Sequence, residues 1–326
     1  MGGYLLFFDS NAILMVSVLS DFSTRISIRL DSISKTCIDL KSSSKVITNS
    51  VNSSSLNLRV CAVDGGILYE RLCGFDLFLL RSSSVFFAYE NSNLVSFDYF
   101  PSKSPSSTPY LFDSLDESEA LKLKSLLRIK DEISCALSFA KTKSPNVILL
   151  DGSIVPLASD RPDKNSSLVP IFDEILKLYL ELFLFCKNNS ILLCAVIKDS
   201  RSRSVSSRFD LDFNDIVLFD NVLDAQTSSE EFELTEKFGF SDFVFKFFYL
   251  KSTSESLPLR IEYLSLSFNF DVKNTIFSLC KLGLDYPPPL VEADLCATME
   301  ASDLELIKRV LPRSIKPLRR NSRLFR

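Results

Sequence analysis

The stretch Arg59-Val60-Cys61-Ala62-Val63-Asp64-Gly65-Gly66 sets an acid at the tip of an apolar run and follows it with two glycines. An apolar run with no polar alternation suits a strand covered on both faces, and paired glycines permit a sharp reversal. Asp64 is then either a turn residue, since Asp-Gly is a favoured hairpin connection, or a ligand for a hard cation, which needs further carboxylates elsewhere.

The same arrangement recurs in Val147-Ile148-Leu149-Leu150-Asp151-Gly152-Ser153. Between the two, residues 117–141 place Leu126, Ile129, Ile133, Ala136, Leu137 and Ala140 at helical spacing, which predicts a helix with one core-facing stripe. Glu132 falls on the flank of that stripe, where it can reach toward a strand end. Two strand-tip aspartates and a helical glutamate form the kind of cluster that holds a divalent cation.

Composition narrows the chemistry. The 326 residues contain no histidine, which removes the commonest general base and the commonest transition-metal ligand. Histidine-built zinc hydrolases and Ser-His-Asp triads are excluded; what survives is oxygen-ligand chemistry with a hard cation, or no chemistry. The formal charge of -4 argues against coating nucleic acid through bulk positive charge, though a local basic groove remains open. The eight cysteines form no CxxC pair and read as buried thiols of a reducing compartment. The apolar run over 4–19 is broken by Asp9, Ser10 and Asn11, and 175–186 is too short for a membrane span, so a cytoplasmic protein away from membranes is expected.

Around the two strands the chain reads as layered α/β. Residues 1–55 are serine-rich, and the alternation Thr24-Arg25-Ile26-Ser27-Ile28-Arg29-Leu30 predicts a strand, followed by a loop over 41–55. After Gly66, stretches 67–80 and 84–100 predict an antiparallel meander, and 101–109 an irregular connection. Helix over 169–185, strand over 190–197, helix over 214–224, strands over 243–250 and 258–266 and a helix over 272–282 follow. Pro287, Pro288 and Pro289 end one helix and start another that holds Asp294. Lys198, Arg201 and Arg203 cluster at a strand end, suited to phosphate contact or to a solvated loop, and Lys308, Arg309, Arg313, Lys316, Arg319, Arg320, Arg323 and Arg326 make the C-terminus basic. The regions are an N-terminal strand and loop region over 1–55, a main domain over 56–310 and a basic tail over 311–326.

In their order, Ala62-Val63-Asp64-Gly65-Gly66, Arg128-x3-Glu132, Leu149-Leu150-Asp151-Gly152-Ser153, Val196-Ile197-Lys198-Asp199-Ser200, Pro258-Leu259-Arg260-Ile261-Glu262 and Tyr286-Pro287 resemble the landmarks of the NurA nuclease family, over about residues 58 to 300. That resemblance implies an RNase H-like mixed sheet core flanked by helices. It implies a Mn²⁺-dependent (or Mg²⁺-dependent) deoxyribonuclease, a 5′–3′ exonuclease and single-strand endonuclease. Asp64, Glu132, Asp151 and Asp294 are then the metal ligands, with Tyr286 completing the catalytic set. Its implied partners are DNA, a HerA-type hexameric ATPase, a second copy of the chain and Mre11–Rad50, in DNA end resection and recombinational repair as in archaeal systems. The family places a histidine eight residues after the tyrosine, where this chain has Asp294. A catalytically weakened docking subunit, or another RNase H-like nuclease acting on RNA, are the alternatives.

Overall fold

Apolar runs separated by Ser, Asn and Gly turns build an alternation of strands and helices. The computed structural model describes residues 10–235, 238–266 and 270–312, with the backbone alone over 10–18. In chain order these form α1 (Ser10–Ser42), β1 (Thr48–Ser50), β2 (Leu58–Leu72), β3 (Phe75–Glu90), β4 (Asn93–Phe100), β5 (Thr108–Asp113), α2 (Glu117–Lys143), β6 (Val147–Asp151), α3 (Val169–Asn188), β7 (Leu192–Ile197), α4 (Asp215–Val222), β8 (Thr227–Ser229), β9 (Phe232–Glu233), β10 (Val244–Lys251), β11 (Leu259–Ser265), α5 (Val272–Leu282), α6 (Pro288–Ala297) and α7 (Ala301–Val310).

The strands join in one 11-stranded sheet of order β1-β8-β10-β11-β7-β6-β2-β3-β4, with β5 also on β3 and β9 on β10. β2, β6 and β7 run parallel at its centre, and the remaining pairings are antiparallel. This is the expected mixed α/β sheet flanked by helices. Strand alternation divides the core in two: Cys61, Val63, Ile148 and Leu150 pack under α2 and α3, whereas Val60, Ala62, Val147 and Leu149 pack under α5 and α6. Both faces of the central strands are therefore buried, as their unbroken apolar runs require.

The expected reversal at Gly65-Gly66 is absent: β2 runs straight through it, and the chain turns at Cys73-Gly74, where Gly74 takes φ +87° and Leu72 pairs with Phe75. The glycines serve a different purpose. A Cβ on Gly65 would stand 2.7 Å from Glu132 Cγ of α2, and one on Gly66 would run into the carbonyl oxygen of Ala297 at the end of α6. Each glycine admits a helix to one face of the strand. The meander is present, but its corners fall at Cys73-Gly74 and at Asn91-Ser92, both residues of the latter having positive φ. Part of the expected irregular connection is instead the start of β5, where Pro109 sits on a strand that, among the described residues, pairs with β3 alone.

The strand expected over 24–30 lies inside α1. Ile26, Ile28 and Leu30 are exposed, and what anchors the helix is Ile33, Cys37 and Leu40, spaced at four and three residues, against Leu218 and Phe219 of α4 and Tyr249 of β10. Thr24, Ser27 and Thr36 return their hydroxyls to carbonyls four residues earlier, so the serine-rich sequence tolerates a helix. Seven cysteines are buried as expected, but Cys73 is exposed at the hairpin tip. Among the described residues no helix is long and apolar enough to cross a membrane.

If Gly66 is the point where α6 meets the strand, Gly66→Ala lowers stability by about 1–3 kcal/mol, the usual cost of overpacking. Thermal unfolding measures it, and an unshifted melting temperature would show that the contact yields freely.

Candidate active site

Register brings the two strand-tip acids together. β2 and β6 are in parallel register with Val63 opposite Leu150, so Asp64 and Asp151 follow side by side and, by alternation, leave the sheet on the α6 face. Asp64 is 8% exposed, and its Oδ1 accepts the Gly65 N–H at 2.7 Å. Asp151 is partly exposed, and its Oδ2 lies 3.4 Å from the Lys198 ammonium, one residue past β7.

Glu132 arrives from the opposite face. It lies on α2, is buried, and passes over the bare Gly65. Its Oε1 accepts Arg128 Nη1 at 2.7 Å, one helical turn earlier. Glu132 is thus not on the flank of the helix stripe but on its buried side, a position Gly65 makes room for. Asp294 reaches Asp64 from α6, close enough to share a hydrogen bond, and is itself exposed. Tyr286 lies just before α6: the Lys198 ammonium sits 4.0 Å from its ring centroid, and its buried hydroxyl is on the side of the Asp151 carboxylate.

The charges in this cluster oppose one another. Burial, then the neighbouring Asp151 and Asp294, push the Asp64 carboxyl up to about 7, with the Gly65 N–H pulling the other way. Burial pushes Glu132 up to about 8, with Asp64 and Asp151 adding to it and Arg128 opposing. Burial and the nearby Asp151 and Asp64 likewise push the Tyr286 hydroxyl up. Among the described residues no three acidic or cysteine side chains converge closely enough to enclose an ion as they stand; Arg128 and Lys198 hold the Glu132 and Asp151 carboxylates. The donor set is nonetheless all oxygen, and a cation would favour the ionised carboxylates against the burial and like-charge repulsion that raise these pKa values, so the residues fit a hard divalent metal. A cavity of ≈ 220 Å³ opens beside Asp64, lined by Gly66, Ile67, Asp294, Thr298 and Met299 among others.

Of Lys198, Arg201 and Arg203, the basic residues that follow β7, Lys198 turns into this cluster. Arg203 donates to the Leu211 carbonyl of its own loop, and Arg201 is exposed. Lys308 is tied to Glu70 of β2 and Glu305 of α7, and the stretch from Arg313 to Arg326 lies outside the described residues. Sequence reading placed Lys198 as a contact to DNA phosphate or as part of a solvated loop; that it bridges Asp151 and Tyr286 depends on β7 lying beside β6.

The NurA domain model matches residues 58–296 of the chain. The NurA nuclease from Sulfolobus solfataricus shares the fold with a TM-score of 0.64 at 16% identity, over 93% of this chain and 96% of that one. A NurA crystallised with manganese gives 0.53 at 12% identity, over 90% and 99% of the two chains. A NurA bound to dAMP and manganese gives 0.53 at 11%, over 89% and 97%. At these identities the likeness is one of fold. A comparison with curated protein sequences finds no match.

Raised carboxyl pKa values mean that the folded chain holds protons the unfolded chain has released above its ordinary values of 3.8 and 4.5. Stability of the metal-free protein therefore falls as pH rises from about 4 through 7 to 8 on account of these groups. Melting temperature followed across that range in chelator should fall, and Mn²⁺ should restore it most at the alkaline end, because the metal takes the ionised form.

Proposed function

The chain belongs to the NurA family, and on that premise we propose that it is a Mn²⁺- or Mg²⁺-dependent DNA nuclease that degrades DNA ends. It would act as a homodimer with a HerA-type hexameric ATPase, in end resection and recombinational repair. The observation that carries the reading is the juxtaposition of Asp64 and Asp151 on neighbouring parallel strands, with Glu132 supplied from one face of the sheet and Asp294 from the other. The manganese in two NurA structures and the dAMP in one support it.

In this reading Asp64, Asp151, Glu132 and Asp294 hold the cation. When bound, the metal supplies Lewis-acid polarisation of a phosphodiester oxygen and a lowered pKa for an attacking water. The chain's own groups do the rest. Gly65 leaves the space through which Glu132 reaches the aspartates, and Arg128 orients Glu132. Lys198 offers a positive charge beside Asp151 where a phosphate's negative charge would lie, and Tyr286 offers a protonated O–H on the Asp151 side of the cluster. The cavity beside Asp64 has room for part of a nucleotide.

A second reading, a docking subunit with weakened catalysis, is favoured by Asp294 standing where the family carries histidine. Carboxylate for imidazole adds a negative charge next to an Asp64 that already resists ionisation. On the first reading, Mn²⁺-dependent degradation of end-labelled linear DNA, measured with the ATPase partner present, falls at least about a hundred-fold in Asp64→Ala and Asp151→Ala, since even residues that only support metal ligands cost that much. Wild-type cleavage no faster than in these variants would reject it. Asp294→His separates the two readings: lost activity shows that Asp294 already serves the metal, and a large gain shows a weakened site.

A further inference from the structure

Beneath the turn that follows Asp151 lies a run of buried charges. Glu262 and Arg260 of β11, Tyr249 of β10 and Asp215 of α4 are each at most 3% exposed. Glu262 Oε2 accepts Ser153 Oγ at 2.8 Å and the Ile154 N–H at 3.0 Å, while its Oε1 accepts Arg260 Nε at 2.8 Å. Arg260 Nη1 donates to the Tyr249 hydroxyl at 3.1 Å, and that hydroxyl donates to Asp215 Oδ2 at 2.9 Å. Asp215 Oδ1 accepts the backbone N–H groups of Val205 and Ser206 at 3.1 and 2.7 Å, and the Asp215 N–H returns to the Ser202 carbonyl at 2.9 Å. The guanidinium lies 3.8 Å from the Phe247 ring centroid.

The two ends of this run are the backbone just past Asp151 and the far end of the segment that begins at Lys198. We propose that Glu262, Arg260, Tyr249 and Asp215 form a positioning frame that ties these two segments together, so that the Asp151 carboxylate and the Lys198 ammonium are presented in fixed relation.

The reasoning is one of necessity. The turn after Asp151 contains Gly152 at φ +114°, and glycine alone imposes little on its neighbours. Gly152 N–H reaches Val196 O at 3.2 Å, and the Ser153 hydroxyl and the Ile154 N–H end on Glu262. Packed apolar residues commonly match a buried ion pair for stability. They cannot direct the hydrogen bonds of two separate backbone segments, which this run does at both ends.

The consequence for metal binding rests on the nuclease reading; the coupling of the two segments does not. Two variants test it in the full chain. Tyr249→Phe removes only the bridging hydroxyl and keeps the ring, and Glu262→Gln removes the charge that receives the turn. Hydrogen–deuterium exchange is measured at the amides of 152–154 and 202–206, together with Mn²⁺ affinity from the electron paramagnetic resonance of the free ion. The frame requires that Tyr249→Phe, although distant from Ser153, speeds exchange in both segments, and that both variants bind Mn²⁺ roughly ten- to a hundred-fold more weakly. A lowered melting temperature with exchange quickened only beside the substituted residue, or with unaltered Mn²⁺ affinity, overturns the proposal in favour of a purely structural role. A wild-type chain that binds no Mn²⁺ instead sinks the nuclease reading, and the exchange of the two segments still decides whether the frame exists.

Discussion

Two helices press on the same two residues of one strand from opposite sides, and the rest of the site depends on that double approach. Gly65 faces α2 and Gly66 faces the end of α6, and neither position has room for a side chain. Because alternate residues of a strand face opposite sides, a pair of adjacent glycines thins the sheet on both faces at once. One gap lets Glu132 through, and the other lets α6 settle with Asp294 beside Asp64. The strand itself continues for six residues beyond the pair, to Leu72, and its outer half carries a separate small core with Leu304 of α7.

Bringing acids together in a mostly buried place has a cost, visible in the raised pKa values of Asp64 and Glu132. The fold offsets part of it with Arg128 one turn from Glu132 and Lys198 beside Asp151, and with the Gly65 N–H on Asp64. What remains is a cluster in which burial and like charge both disfavour the ionised state. A hard cation is the ligand that relieves both effects, which connects the packing of α2 and α6 to the chemistry proposed for the site.

The long antiparallel half of the sheet plays a supporting part. β10 and β11 are not among the strands that carry the acids, but Glu262 reaches across β7 to the turn after β6, and Tyr249 reaches α4. α1 is fastened to this side by the Ile33, Cys37 and Leu40 stripe, and by the pairs Arg29–Asp212 and Lys41–Asp224. These pairs are exposed and add little stability; the apolar stripe holds the helix in place.

The sequence by itself determined which segments are strands and helices at the centre of the fold, and its pattern singled out Asp64, Glu132 and Asp151, while Tyr286 and Asp294 entered only through the family resemblance. It could do so because an apolar run, or apolar residues at helical spacing, reports how many faces of an element are buried, and an acid in such a setting stands out. Where local pattern and packing disagree, as over 24–30, the alternation misled, because exposed Ile26, Ile28 and Leu30 report no burial and the three anchoring residues lie further on. Only the tertiary structure decided what Gly65-Gly66 is for, since a turn and a close approach of helices use the same residue for different reasons. It alone decided that Glu132 points inward, that Lys198 meets Asp151 and Tyr286, and that Arg260 and Glu262 join two distant segments. Those relations arise from strand order, register and helix packing, which bring together residues too far apart in the chain for any local pattern to relate them.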